Sequence, residues 1–314
     1  MSVTTHRLPM ILAEVEAARV VRLSPSYVRV ELGGSALADF GVDGPLYDQR
    51  IKLVFPAAGG RLPSVEGADE SWLTGWSDRP VEERGHLRTY TVRDVLGSGE
   101  DTRLVVDFVL HEEGGQAGPG SSWAATARVG DRLVLLAPRR AEAWGGIEFE
   151  PGTAASLLLA GDETAVPAMA AILGLLPPDA RGAAFLEVPV ADDVQALARP
   201  AGVDIVWLPR DGVEPGSLLQ AAVLQHLGAG AVAAVAEEEV DPDLWETPTY
   251  SSSGEAVDEP VAVVGHDLDG VYAWIAGEAR VVTTLRRALV AELGMDRRQV
   301  AFMGYWRRGV AMRS

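Results

Sequence analysis

Ser156-Leu157-Leu158-Leu159-Ala160-Gly161-Asp162-Glu163-Thr164-Ala165-Val166-Pro167-Ala168-Met169-Ala170-Ala171-Ile172-Leu173-Gly174-Leu175-Leu176 changes its pattern part-way along. Ser156–Ala160 is an apolar run with the length of a buried strand, and Thr164–Leu176 has the length and composition of a helix. The two patterns alternate from here onward. Ala183–Val188 and Asp204–Leu208 read as strands, Ser217–Leu227 as a helix and Val271–Ala276 as a strand. Ala279–Leu293 reads as an amphipathic helix closed by Gly294, and Val300–Trp306 as a last strand. Strands alternating with helices predict a parallel sheet covered on both faces.

Upstream, short strands replace this alternation. Val15–Leu23, Tyr27–Leu32, Arg50–Phe55, Leu87–Val95, Arg103–His111 and Leu133–Ala137 are separated by turn residues, and several alternate with a period of two. Even spacing with few helical stretches predicts a small closed antiparallel barrel, which leaves no open sheet edge. Gly145, Gly146, Pro151 and Gly152 cluster between the two patterns. The predicted organisation is a β-barrel plus α/β build, with a barrel domain over 1–148 and a nucleotide-binding α/β domain over 149–314. Residues 237–269 are acidic, contain Ser251-Ser252-Ser253-Gly254 and show no sustained period, so they read as a loop or insertion.

Composition narrows the function. The 314 residues suit two domains, and 47% hydrophobic with 23% charged residues is the balance of a folded chain. A net charge of −18 repels phosphate backbones and anionic lipid, which argues against nucleic-acid and membrane-surface roles. The absence of cysteine excludes disulfides, thiol catalysis and cysteine-held zinc or iron–sulfur clusters, so redox chemistry here needs a bound cofactor. The five histidines lack metal-ligand spacing, and no metal site is expected. The N-terminus lacks a secretory pattern, and Asp162, Glu163 and Pro167 interrupt the most apolar stretch, so a cytoplasmic protein without membrane insertion is expected. A monomer is expected.

Arg88-Thr89-Tyr90-Thr91-Val92-Arg93 is the most specific stretch of the first half. On a strand, alternation sets Tyr90 on the face opposite Thr89 and Thr91. Arg88 offers a fork that fits a pyrophosphate, and Tyr90 an aromatic plane that fits an isoalloxazine. Downstream, Gly118-Pro119-Gly120-Ser121-Ser122-Trp123-Ala124 opens the next element; its N–H groups and hydroxyls, with a helix starting near Ser122, can cradle phosphate.

These segments in this order, with Asp107–His111 between them and Gly130-Asp131 and Pro138 after them, resemble the siderophore-interacting protein family of FAD-dependent ferric-siderophore reductases, whose build is ferredoxin-reductase-like. In the second half Leu159–Ala168, Tyr272–Ala279 and Gly304-Tyr305-Trp306-Arg307-Arg308-Gly309 match as well. The resemblance runs from about Arg19 to Gly309. It implies that Arg88, Tyr90, Thr91, His111 and Ser122 hold FAD, with Tyr90 and Thr91 nearest the reactive ring. Ser121, Gly118 and Trp123 would line the phosphate and adenine end.

The electron donor is less defined. Gly161 is the sole glycine of the turn where a dinucleotide fold usually carries Gly-x-Gly-x-x-Gly, and Asp162 and Glu163 there oppose a pyrophosphate unless they point away. Thr164 and the helix it starts form a candidate anion site, and Glu278 stands at a strand-to-helix turn on the ligand-binding edge, either facing nucleotide or complementing a helix N-terminus. Glu187 favours NADH through a ribose hydroxyl, whereas Arg210 favours a 2′-phosphate. NADH, NADPH and ferredoxin all remain as donors.

The expected acceptor is a ferric siderophore, whose oxygen donors already surround the iron. Arg50, Lys52 (the only lysine), Arg307 and Arg308 are the candidates for a basic mouth, with a solvated C-terminal segment as the alternative for the last two. The expected activity is transfer of electrons from NAD(P)H through FAD to chelated Fe(III), releasing Fe(II). The alternatives are a general NAD(P)H- or ferredoxin-dependent flavin reductase and a non-catalytic siderophore-binding protein.

Overall fold

Alternation along the first strands is realised as one strongly curved antiparallel sheet. The computed structural model describes residues 7–57, 59–69, 71–110, 112–113, 116–236, 240, 244–247, 250–251, 268 and 270–309. The chain divides into two units, one reaching Ile147 and the other beginning at Glu148. The first contains β1 (Met10–Arg22), β2 (Tyr27–Gly33), β3 (Arg50–Phe55), α1 (Trp72–Ser77), α2 (Val81–Arg84), β4 (His86–Thr91) and β5 (Asp94–Leu96). It continues with β6 (Arg103–Val109), the short pair β7 (Glu112–Glu113) and β8 (Gln116–Ala117), α3 (Pro119–Thr126) and β9 (Arg132–Pro138).

The main sheet runs β4-β3-β9-β1-β2-β6-β5, and its two outermost strands are successive pieces of chain. The Val92 N–H donates to Gln49 O at 2.9 Å beside β3, and the Arg93 N–H donates to Val105 O at 2.8 Å beside β6. The sheet thereby closes. The single strand expected over Leu87–Val95 is therefore two, because the chain must leave one neighbour for the other at the closure. Ile51, Leu53 and Phe55 of β3 point inward with Val28, Val30, Leu104, Val106, Phe108, Leu133 and Leu135 to form the barrel core. Val54, Val134 and Leu136 face outward and are covered by Trp76 of α1, whose indole N–H donates to Arg84 O at 2.7 Å.

The second unit contains β10 (Ser156–Gly161), α4 (Val166–Leu175), β11 (Arg181–Val188), β12 (Gly202–Pro209), α5 (Ser217–His226), β13 (Trp245–Thr247) and β14 (Tyr250–Ser251). β15 (Val271–Glu278), α6 (Ala279–Arg286) and β16 (Val300–Trp306) complete it. The sheet order is β12-β11-β10-β15-β16-β13-β14. The strands from β12 to β16 are parallel, as expected. β13 and β14 are antiparallel additions drawn from the acidic segment that reads as a loop. They satisfy the edge of β16: the Gly304 N–H donates to Leu244 O at 2.9 Å, and Trp245 stacks on Tyr305 with centroids 6.0 Å apart. Glu246 is buried there because Arg286 and Arg297 reach it at 2.5 and 3.2 Å.

Leu158, Ala160, Phe185, Ala273, Ile275 and Phe302 face α5 and α6 on one side of this sheet. The expected helix Ala279–Leu293 is α-helical to Arg286 and continues as a π-helical turn over Arg287–Glu292. The chain runs from β10 outward to β11 and β12, then returns to β15 on the other side of β10. That reversal makes the crevice between the carboxyl ends of β10 and β15 the switch point of the sheet.

Candidate functional site

In the first unit the register of β4 against β3 sorts the motif into two faces. Tyr90 pairs with Ile51 and Arg88 with Leu53, so both take the core-side face. Thr89 pairs with Lys52 and Thr91 with Arg50, which places these four on the outer face. The Lys52 ammonium donates to Thr89 Oγ1 at 3.3 Å. Burial first, then the charge of Arg50, holds Lys52 below its ordinary value. Burial likewise lowers Arg88, whose Nη1 donates to Leu87 O at 2.7 Å.

Tyr90 belongs to an aromatic cluster. Its ring centroid lies 4.6 Å from Phe108 and 5.8 Å from Phe55, and Trp123 lies 5.5 Å from Phe108. Burial raises the phenol of Tyr90 above its ordinary value, so it stays neutral. α3 docks on this cluster through Gly120, where a Cβ would collide with the Tyr90 hydroxyl. The helix begins at Gly118 and Pro119 with no side-chain cap among the described residues, and Ser121 is buried in its first turn. Ser122 is engaged internally: its N–H donates to Gly118 O at 2.8 Å and its hydroxyl to Ala117 O at 3.1 Å. His111 lies outside the described residues. An aromatic ring, a half-buried guanidinium on the same strand face and an uncapped helix start against that ring fit a flavin carrying a pyrophosphate. Phe55 and Phe108, which complete the cluster, have no motif of their own and read only as core strand residues.

The switch point of the second unit is acidic and already bonded. Asp162 Oδ1 accepts the Thr164 N–H at 2.9 Å and the Thr164 hydroxyl at 2.5 Å. Asp162 Oδ2 accepts the Glu278 N–H at 2.7 Å and the Trp306 indole N–H at 2.8 Å. Burial first, then the charge of Glu163, pushes Asp162 up to about 7 against those donors. Thr164, expected as an anion site, thus gives both its donors to Asp162. Glu278 caps α6 by accepting the Val281 N–H at 3.0 Å and also accepts the Arg308 N–H at 3.3 Å, which is the helix-terminus role of its two alternatives.

Glu187 and Arg210 bond to each other instead of standing as rival ribose and phosphate cues. Arg210 forks onto Glu163 at 2.6 and 2.9 Å and reaches Glu187 at 3.2 Å. Glu187 accepts the Gly216 and Leu219 N–H groups at 2.6 and 2.8 Å, capping the start of α5. Burial alone would lower Arg210, but its bonds and charge interactions with Glu163 and Glu187 raise it. Arg308 pairs with Glu214 in this same unit, where Arg307 also lies. Arg50 and Lys52 alternate along β3 and share its outer face. A pyrophosphate does not fit the β10–α4 turn as it stands.

Residues 16–142 match the model of the siderophore-interacting FAD-binding domain, and residues 154–309 match that of the siderophore-interacting protein. Ferric vibriobactin reductase ViuB of Vibrio cholerae is 30% identical over 91% of this chain and 86% of its own. The chain belongs to the siderophore-interacting protein family. An Escherichia coli NADPH-dependent ferric-chelate reductase is 27% identical over 93% of this chain and 92% of its own. The crystal structure of a siderophore utilization protein from T. fusca superposes with a TM-score of 0.66 at 31% identity, covering 97% of this chain and 95% of that one. A ferredoxin NADP+ reductase from Neisseria gonorrhoeae, with bound FAD and NADP, shares the fold alone at a TM-score of 0.54 and 12% identity, over 94% of this chain and 99% of that one. The build is ferredoxin-reductase-like, and the relatives include ferric reductases. Among the described residues no helix is long and apolar enough to cross a membrane.

Proposed function

We propose that this chain is a flavin-dependent ferric-siderophore reductase that passes electrons from an external donor (NADH, NADPH or ferredoxin) through FAD to chelated Fe(III) and releases Fe(II) in the cytoplasm. The observation that carries this reading is the Arg88–Tyr90 face of β4, packed on Phe55, Phe108 and Gly120. Family membership and the ferric reductases among the relatives support it. Bound FAD would supply the conversion of a two-electron input into single-electron output.

The residues of the chain then have distinct tasks. Tyr90 presents a neutral ring to the flavin plane. Arg88 and the start of α3 would neutralise the pyrophosphate, Gly118, Ser121 and Trp123 would line that end, and Thr91, whose side chain takes the outer face of β4, would offer its backbone to the ring edge. Arg50 and Lys52 give the outer face of β3 local positive charge, which draws an anionic ferric chelate toward a chain of net charge −18. The siderophore supplies every iron ligand, so the chain needs only to hold it near the flavin edge.

A visible spectrum of the purified protein tests the reading, followed by anaerobic addition of each donor in turn. Flavin bands should bleach with at least one donor and return on adding a ferric siderophore as Fe(II) appears. Absence of flavin bands after incubation with FAD, or a reduced flavin inert to ferric siderophores, would overturn it. In Arg88→Ala, flavin retention should fall about tenfold or more, the loss expected for a charge-assisted hydrogen bond.

A further inference from the structure

At the switch point of an open parallel sheet, the donors of the first strand-to-helix turn and of the neighbouring strand end converge on an anion. They converge here too, but on a side chain of the protein. Thr164 brings its N–H and hydroxyl to Asp162 Oδ1, while Glu278 at the end of β15 and Trp306 at the end of β16 bring an N–H each to Oδ2. Four donors from three places in the chain saturate the two oxygens. The neighbouring backbone is shaped to the carboxylate: Gly277 has φ +142°, and a Cβ there would stand 2.5 Å from Asp162 Oδ2.

The following helix offers no substitute seat. Pro167 in its first turn has no N–H, and Ala165, Val166 and Ala168 are buried. Glu163 adds a second carboxylate, already held by Arg210. An incoming pyrophosphate would meet an occupied set of donors and a carboxylate pair beside it.

We propose that Asp162 is an internal replacement for the phosphate of a nucleotide, filling the switch-point seat with the chain's own anion. A nicotinamide donor that engages this unit is then held by its other parts, without a pyrophosphate clasp at the β10–α4 turn. Asp162 determines that specificity. The inference concerns only the seat and stands whether or not the flavin reduces a siderophore.

Calorimetric titration of the flavin-loaded full chain with inorganic pyrophosphate, at constant ionic strength, tests it on wild type, Asp162→Ala and Asp162→Asn. Wild type should show no saturable binding in the millimolar range. Asp162→Ala vacates the seat and should bind pyrophosphate at least about tenfold more tightly, a difference of about 1.4 kcal/mol. Asp162→Asn removes the charge but keeps the seat filled and should remain blind, which separates occupancy from net charge. Saturable binding to wild type that Asp162→Ala does not strengthen overturns the proposal, as does a folded Asp162→Ala that stays blind. Should Asp162→Ala fail to fold, Asp162→Gly takes its place: pyrophosphate binding at least about tenfold tighter than in wild type upholds the proposal, and a folded Asp162→Gly that stays blind overturns it.

Discussion

Asp162 at the end of β10 accepts the indole N–H of Trp306 at the end of β16 across 2.8 Å, joining residues 144 positions apart in the chain. The bond ties the last strand of the parallel series to the turn after the first. Three further donors meet the same carboxylate, so one side chain holds the ends of β10, β15 and β16 in register.

The first prediction is a pH dependence. Burial and Glu163 raise the folded-state value of Asp162 to about 7 from its ordinary 3.8. The folded chain binds the proton more tightly, so stability from this group is full below pH ~4 and is lost as pH rises through ~7. Urea midpoints should fall across that window with a slope of at most ~1.4 kcal/mol per pH unit from this group. Asp162→Asn should remove that component, and a variant slope identical to wild type would contradict it.

Gly120→Ala places a methyl where the Tyr90 hydroxyl lies. Overpacking of this kind costs about 1–3 kcal/mol. The displacement of Tyr90 or α3 should also lower flavin occupancy, read as the ratio of visible to ultraviolet absorbance. Unchanged occupancy would separate this contact from the flavin site.

Arg210 neutralises two buried carboxylates, Glu163 and Glu187. Arg210→Met leaves both without their cation and should cost about 3–5 kcal/mol by urea unfolding. It should not exchange a preference between NADH and NADPH, because the guanidinium faces protein carboxylates. A switched preference with little loss of stability would restore the 2′-phosphate role.

Lys52→Gln should weaken an anionic ferric siderophore severalfold in KM, with flavin content unchanged, because Lys52 and Arg50 share the outer face of β3. The effect should shrink as salt is raised. A KM indifferent to both changes would place the acceptor elsewhere.

The site was legible to different depths. Arg88, Tyr90 and Thr91 could be assigned to opposite faces because strand alternation is local and β4 obeys it. The helix expected to start near Ser122 starts three residues earlier, at Pro119, where the ring fixes φ for a first helical position. Phe55 and Phe108 could not be joined to Tyr90, because they come from separate strands that barrel closure brings together. β13 was hidden for a related reason: three residues with Glu246 in the middle look like an acidic loop until Arg286 and Arg297 neutralise the charge.

By itself the sequence determined a barrel of short strands followed by alternating strands and helices, because periodicity is a property of neighbouring residues. It also determined that no cysteine chemistry is available and that the segments from Arg88 to Trp123 suit a flavin. Only the tertiary structure decided what the acidic turn does. Asp162 and Glu163 can repel a phosphate, point away or bind inward, and the choice depends on where strand order sets Glu278, Trp306 and Arg210. A carboxylate buried there is stable only because those donors arrive from distant parts of the chain, and local pattern carries no record of them.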